Sequence, residues 1–118
     1  MKRILFVDDD ADVLECLEQL FSPEYEVSLA RNGREAVDLA TSQRFDLMVL
    51  DLMMPIMDGP SAARELAARG IYIPILVASA SADLRTQARL IGAADVVVKP
   101  YDFALMQRKI AALLSPAP

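Results

Sequence analysis

Residues 4–21 read ILFVDDDADVLECLEQLF, and this stretch carries the signals of a strand, a turn and a helix in immediate succession. Its first four residues are apolar without alternation, which predicts a strand buried on both faces. Three aspartates end the run, and Asp10 suits the N-cap of a helix because its side chain can accept hydrogen bonds from free main-chain N–H groups. The apolar positions that follow have helical spacing, at Val13, Leu14, Leu17, Leu20 and Phe21. A buried strand that leads directly into a helix predicts a parallel α/β sheet.

The same pair of signals recurs four more times along the chain. The predicted strands are residues 4–7, 25–30, 47–50, 75–78 and 96–98. Helical patterns begin at or just after Asp10, Gly33, Pro60, Asp83 and Asp102. Residues 25–30 alternate between polar and apolar, which predicts a half-exposed strand at the edge of the sheet. The fivefold alternation predicts an α/β fold, a doubly wound five-stranded parallel sheet with helices on both faces.

Composition narrows the classes of protein that this chain can represent. With 118 residues we expect one domain over residues 1–118, with a core at about 3–114 and a tail at 115–118. The chain has no histidine, which excludes a Ser-His-Asp triad and a histidine-bearing zinc site. Its single cysteine, Cys16, cannot form an internal disulfide, and we interpret it as a packing thiol in a reducing compartment.

Charge and hydropathy lead to three further expectations. A net charge of −5 argues against nucleic acid as a direct partner. The longest largely apolar stretch, residues 71–80, is much shorter than the roughly 20 residues that a membrane-spanning helix needs. We therefore expect a cytoplasmic protein that contacts neither nucleic acid nor a membrane.

Polar side chains follow four of the five predicted strands. Asp8 and Asp9 come after the first strand, Asp51 after the third, Ser79 after the fourth and Lys99 after the fifth. Ligand sites in such sheets lie beyond the carboxyl ends of the strands, so we expect these side chains to meet. Three neighbouring carboxylates repel one another, and a divalent cation such as Mg²⁺ would offset their charge with the oxygen ligands that it prefers.

The chemistry of this cluster centres on one carboxylate. A metal ion, an ammonium group and a hydroxyl around a single aspartate suit a phosphoryl group bound to that aspartate. Asp51 follows the central strand alone and is the natural nucleophile. Asp10 is interpreted as a helix N-cap rather than a ligand, because Asp is favoured there and two acids already precede it.

Four motifs resemble a known family. They are residues 7–10 (VDDD), 50–59 (LDLMMPIMDG), 74–80 (PILVASA) and the pair Lys99-Pro100, each at the end of a predicted strand. Together they resemble the response-regulator receiver domain of two-component signalling, over nearly the whole chain from Ile4 to about Leu114. The resemblance implies the flavodoxin-like strand order 2-1-3-4-5.

The resemblance also implies a role for each acid. Asp51 would be the phospho-acceptor. Asp9 and Asp51 would bind Mg²⁺ (or Mn²⁺) directly together with the main-chain carbonyl of Met53, and Asp8 would act mostly through water.

The remaining positions concern the phosphoryl group and the response to it. By resemblance, Ser79 would hydrogen-bond the phosphoryl group, Lys99 would contact its oxygens, and the peptide bond before Pro100 would be cis. The chain departs from the family at Val96, where well-described members have an aromatic residue. That departure concerns the output of the switch rather than the chemistry at Asp51.

The implied function is that of a signalling switch. The chain would take a phosphoryl group from the histidine of a sensor histidine kinase or of a histidine phosphotransfer protein and change its protein-binding surface, as a monomer or a phosphorylation-dependent dimer. It would not be an enzyme beyond catalysing its own phosphorylation and dephosphorylation. Two alternatives are a phosphorylation-independent interaction module with the same fold and a receiver fragment of a larger regulator or hybrid kinase. A third, a phosphatase with an aspartyl-phosphate intermediate, lacks its second acid because Met53 stands at that position.

Overall fold

Five strands and five helices alternate along the chain in the computed structural model, which describes residues 1–115. The strands are β1 (Arg3–Val7), β2 (Glu26–Ala30), β3 (Leu47–Asp51), β4 (Ile75–Ser79) and β5 (Asp95–Val98). The helices are α1 (Ala11–Phe21), α2 (Gly33–Ser42), α3 (Gly59–Ala68), α4 (Leu84–Leu90) and α5 (Phe103–Leu114). Residues 116–118 of the expected tail lie outside the described part.

All five strands pair in parallel, in the order β2-β1-β3-β4-β5. This confirms the predicted doubly wound sheet and its strand order. β2 lies at one edge and is largely half-exposed, as its alternating sequence predicts. β1 and β3 lie in the interior of the sheet, and their register pairs Val7 with Leu50, so Asp8 and Asp51 follow at the same edge.

Two apolar layers, one on each face of the sheet, explain why the strands do not alternate. Ile4 and Phe6 of β1 belong to the layer under α1 and α5, which includes Leu17, Met106 and Ile110. Leu5 and Val7 of the same strand belong to the layer under α2 and α3, which includes Val37, Ala62 and Leu66. Strands such as β1, which are covered on both faces, therefore need apolar side chains at odd and even positions alike.

Side chains cap the N-termini of four helices, whereas the cap that we predict at Asp83 for α4 does not form. The carboxylate of Asp10 accepts hydrogen bonds from the N–H groups of Asp12 and Val13, and Asn32, Asp58 and Asp102 cap α2, α3 and α5. Asp83 holds the N-cap position of α4 but makes no such bond. Its backbone is not extended, unlike that of the other four caps, and its carboxylate instead accepts from the side chains of Ser81 and Gln87.

Helix α1 corrects two further expectations. Its buried residues are Leu14, Leu17 and Phe21, whereas Leu20 keeps 37% of its surface exposed. A helix that packs on a sheet buries one stripe, and Leu20 lies on the flank of that stripe. Cys16, which we interpreted as a packing thiol, is exposed.

Candidate functional site

Three carboxylates meet at the carboxyl edge of the sheet and form what we call the acid pocket, Asp8, Asp9 and Asp51. Each offers an oxygen that lies within 4.8 Å of the others. Asp8 and Asp51 are only 1% and 4% exposed, because Asp8 follows β1 and Asp51 ends β3, both of which are interior strands, whereas Asp9 faces solvent. The structure thus brings together the three acids that the sequence placed at strand ends.

Lys99 is the cation of the acid pocket. Its Nζ lies 2.8 Å from Oδ2 of Asp8 and 3.0 Å from Oδ2 of Asp51. The residue directly follows β5, and its peptide bond to Pro100 is cis, as the resemblance implies. One ammonium group therefore serves two buried carboxylates.

Burial and the ion pairs shift the pKa values of Asp51 and Lys99. Burial raises the pKa of Asp51, and hydrogen bonds from Lys99 and from the N–H of Met53 offset only part of that rise. For Lys99, burial alone would lower the pKa, but the bonds to Asp8 and Asp51 outweigh it and the pKa is raised. Lys99 therefore stays charged, and burial makes the charged form of Asp51 less favourable.

The acid pocket fits a hard divalent cation. Three ionised carboxylates and one ammonium group leave two negative charges, which one divalent ion would neutralise. The available donors are oxygen atoms, which Mg²⁺ prefers over nitrogen or sulfur. An open cavity of about 410 Å³ adjoins the pocket and gives room for coordinated water; its lining is Asp9, Leu52, Met53, Met54, Pro55 and Asp58.

The loop after β3 holds Asp51 in place through close main-chain packing. The N–H of Met53 donates to Oδ1 of Asp51 at 3.2 Å, and the N–H of Gly59 donates to the carbonyl of Leu52 at 3.0 Å. A Cβ atom on Gly59 would lie 2.4 Å from the carbonyl oxygen of Asp51. Only glycine allows the start of α3 to approach β3 this closely.

Ser79 lies on the same edge but is not hydrogen-bonded to the acid pocket. It ends β4, one residue beyond Ala78, the partner of Asp51 across the strands. Its Oγ accepts a bond from the N–H of Ser81 at 3.1 Å, and the residue is buried. Within residues 1–115 the Ser79 hydroxyl donates to no acceptor, so its hydrogen can be donated to an oxygen that arrives from outside.

Tyr101 is a site residue that the sequence reasoning missed. Its hydroxyl donates to Oδ2 of Asp8 at 3.2 Å, and its ring centre lies 5.4 Å from Nζ of Lys99. Burial, followed by the charges of Asp8 and Asp51, raises the pKa of Tyr101, so the hydroxyl stays protonated. An aromatic residue two positions after a strand-end lysine is the signal that could have identified it.

Val96, the departure from the family pattern, is a core residue. It is buried and packs with Leu84 and Ala88 of α4 and with Val77 of β4.

Comparison with protein families and curated proteins gives concordant results. The family model described as the response regulator receiver domain matches residues 4–111. The chain is 44% identical over 115 residues to the response regulator MprA of Mycolicibacterium vanbaalenii, covering 95% of this chain and 50% of that protein. It is 43% identical over 115 residues to the transcriptional regulatory protein PrrA of Mycobacterium tuberculosis, covering 95% and 49%. The chain thus spans about half the length of these curated relatives.

Solved structures show the same fold. The chemotaxis protein CheY4 of Vibrio cholerae superposes with a TM-score of 0.87 at 28% identity, covering 97% of this chain and 99% of that one. The response regulator TrrA of Thermotoga maritima, in complex with Mg²⁺ and BeF, has a TM-score of 0.85 at 34% identity, covering 97% and 100%. Separately, within residues 1–115 no helix has the length and apolar character required to cross a membrane.

Proposed function

The chain belongs to the response regulator receiver domain family, and from that premise we propose that it is a Mg²⁺-dependent switch with Asp51 as its phospho-acceptor. The observation that carries the proposal is the placement of Asp51, a buried carboxylate that Lys99 contacts and that Asp8 and Asp9 flank. We further propose one receiver domain, with its core at residues 3–114.

The proposed metal site uses Asp9, Asp51 and the main-chain carbonyl of Met53 as direct ligands, with Asp8 acting through water. Mn²⁺ would suit the same oxygen donors. When bound, the ion offsets the negative charge of the incoming phosphoryl oxygens. Without such an offset the acid pocket would repel a phosphate donor.

In the proposed reaction an oxygen of Asp51 attacks the phosphorus of a phosphohistidine on a partner protein. A P–O bond forms and the P–N bond breaks, and the histidine nitrogen keeps the electron pair and takes up a proton. We propose a sensor histidine kinase or a histidine phosphotransfer protein as the donor. Beyond its own phosphorylation and dephosphorylation, no further reaction is proposed for the chain.

Lys99 and Ser79 are proposed to convert phosphorylation into a conformational change. The ammonium group of Lys99 and the hydroxyl of Ser79 can donate to oxygens that are absent before phosphorylation. A phosphoryl group shifts the equilibrium between two conformations only if it makes more favourable contacts in one of them. The hydrogen bonds from Lys99 and Ser79 would supply this difference. The new state presents a different protein-binding surface, as a monomer or as a phosphorylation-dependent dimer.

The direct test is phosphorylation by acetyl phosphate in the presence of Mg²⁺, followed by mass spectrometry of the intact protein. We expect one added phosphoryl group in the wild type and in the control Asp38→Asn, an exposed acid on α2. We expect none in Asp51→Asn or in the presence of EDTA. A phosphoryl group that persists in Asp51→Asn would refute the assignment of the acceptor.

A second candidate is that the chain is the receiver part of a longer regulator. The relatives MprA and PrrA are about twice as long as the matched region, and PrrA is named a transcriptional regulatory protein. Mass spectrometry of the protein from its source cell distinguishes a mass near 12.9 kDa from that of a longer chain.

A phosphorylation-independent interaction module would instead bind its partner equally with and without beryllofluoride. A cytoplasmic location, without nucleic-acid or membrane contact by this chain, stays a prediction.

A further inference from the structure

Tyr101 makes a contact with the acid pocket that packing alone does not require. The residue lies between the end of β5 and Asp102, the N-cap of α5, so both neighbouring segments fix its backbone. Its ring centre lies 6.0 Å from that of Phe103, while its hydroxyl reaches 3.2 Å to Oδ2 of Asp8. The apolar part of the side chain therefore packs, and its polar end contacts a carboxylate.

Asp8 depends on these donors because it is almost fully buried. Its Oδ1 accepts from the N–H of Asp10 at 3.0 Å, and its Oδ2 accepts from Lys99 and from Tyr101. A buried carboxylate that loses a hydrogen-bond donor is destabilised, because water does not replace the lost bond. Of the two side chains that donate to Oδ2, Lys99 also donates to Asp51, whereas the hydroxyl of Tyr101 donates to Asp8.

The sharing of Lys99 gives Tyr101 a distinct task. In the function proposed above, on which this inference rests, Lys99 turns to the phosphoryl oxygens. Even before that, the ammonium group of Lys99 is divided between Asp8 and Asp51, so in both states the orientation of Asp8 depends on the Tyr101 hydroxyl. We propose that Tyr101 is a positioning residue for the Mg²⁺ site, whose hydroxyl holds the carboxylate of Asp8 in place independently of Lys99.

The test compares the substitutions Tyr101→Phe and Tyr72→Phe in the full chain. The first removes the hydroxyl and keeps the ring beside Lys99 and Phe103. The second is a matched control, because Tyr72 is 83% exposed and remote in sequence from the acid pocket. Magnesium affinity is measured from backbone amide shifts in NMR titrations with MgCl₂. Loss of a partner that orients a metal-binding group typically weakens metal binding about 10- to 100-fold, so we expect a Kd about 10-fold higher for Tyr101→Phe and an unchanged Kd for Tyr72→Phe.

Thermal unfolding in EDTA separates positioning from packing. A purely structural role would lower Tm without metal and leave the Mg²⁺ Kd of the folded protein as in the wild type, and that result would overturn the inference. Should Tyr101→Phe fail to fold, wild-type protein with tyrosine labelled at the ζ carbon is titrated with MgCl₂ instead. The Tyr101 resonance should then shift while that of Tyr72 stays constant, and a Tyr101 resonance that is insensitive to Mg²⁺ would overturn the inference.

The outcome for Tyr101 is distinguishable from the outcome for the proposed function. A wild type that neither binds Mg²⁺ nor accepts a phosphoryl group on Asp51 refutes the proposed function and, with it, the inference. A wild type that does both, beside a Tyr101→Phe variant with the same Mg²⁺ Kd, refutes the role of Tyr101 alone.

Discussion

Replacing Lys99 by methionine tests how the acid pocket is stabilised. Nζ of Lys99 lies 2.8 Å from Asp8 and 3.0 Å from Asp51, and the lysine side chain is 22% exposed. Methionine keeps most of the apolar stem and removes the charge. Two buried carboxylates, with side chains 1% and 6% exposed, then face each other without a cation.

The expected loss of stability follows from these distances. At an effective dielectric constant of about 20, two charges 3 Å apart have a gross Coulomb energy of about 6 kcal/mol. Desolvation of the lysine offsets much of that energy, and loss of one partner of a buried pair costs about 3–5 kcal/mol. Because Lys99 is partly exposed, we expect the lower end, about 3 kcal/mol, which corresponds to a decrease in Tm of roughly 10 °C.

The loss should depend on pH and on Mg²⁺. In the wild type, the bonds from Lys99 offset part of the rise that burial causes in the pKa of Asp51, so without Lys99 that pKa is raised further in the folded state. The folded state then binds more protons than the unfolded state, so the stability of the variant falls as pH rises through the raised pKa. Removing the ammonium group also removes its repulsion of a divalent cation at the acid pocket. Magnesium should therefore bind more tightly and restore part of the lost stability.

The assay is urea unfolding followed by circular dichroism, in EDTA and in MgCl₂, at pH 5.5 and pH 7.5. Lys109→Met is the matched control, because Lys109 is 24% exposed and pairs with Asp95 away from the acid pocket. We expect it to lose about 1–2 kcal/mol, equally in all four conditions. A Lys99→Met variant as stable as the wild type in EDTA at pH 7.5, or one that binds Mg²⁺ more weakly, would refute the reasoning.

Three further predictions concern Asp51, the close approach of Gly59 to it, and Ser79. Asp51→Asn should stabilise the metal-free protein at pH 7.5, since burial raises the pKa of the acid and the amide removes the buried charge. Urea unfolding should show this gain disappearing as pH falls through that raised pKa. Gly59→Ala should lose about 2 kcal/mol in the same assay and slow phosphorylation, because its Cβ would clash with the carbonyl of Asp51. Gly70→Ala, which meets no atom within 4 Å, should lose only about 1 kcal/mol through its positive φ of 73°. Ser79→Ala should still be phosphorylated on Asp51, but beryllofluoride should induce smaller amide shift changes by NMR than in the wild type, and shifts of equal size would contradict its role as a switch.

Local patterns predicted the fold because parallel strands in this chain are buried on both faces. Val49 and Leu50 of β3 face opposite apolar layers, so the strand is apolar at consecutive positions. The acids at the ends of β1 and β3 were predictable as neighbours, because parallel strands all present their carboxyl ends at one edge. The prediction that the side chain of Asp83 caps α4 was wrong, because the backbone at Asp83 is not extended and the carboxylate accepts a bond from Ser81, two residues earlier.

The sequence by itself determined the alternation of strands and helices and the chemical groups at the edge of the sheet, since both depend on side-chain period and strand direction. Only the tertiary structure decided which donor reaches which carboxylate. Lys99 lies 91 residues from Asp8 and 48 from Asp51, and Tyr101 lies 93 residues from Asp8. Such contacts depend on how β5 and the segment after it pack against the interior strands. A displacement of a few tenths of an ångström can break a hydrogen bond. The shared ammonium of Lys99 and the hydroxyl of Tyr101 on Asp8 are therefore properties of the folded chain.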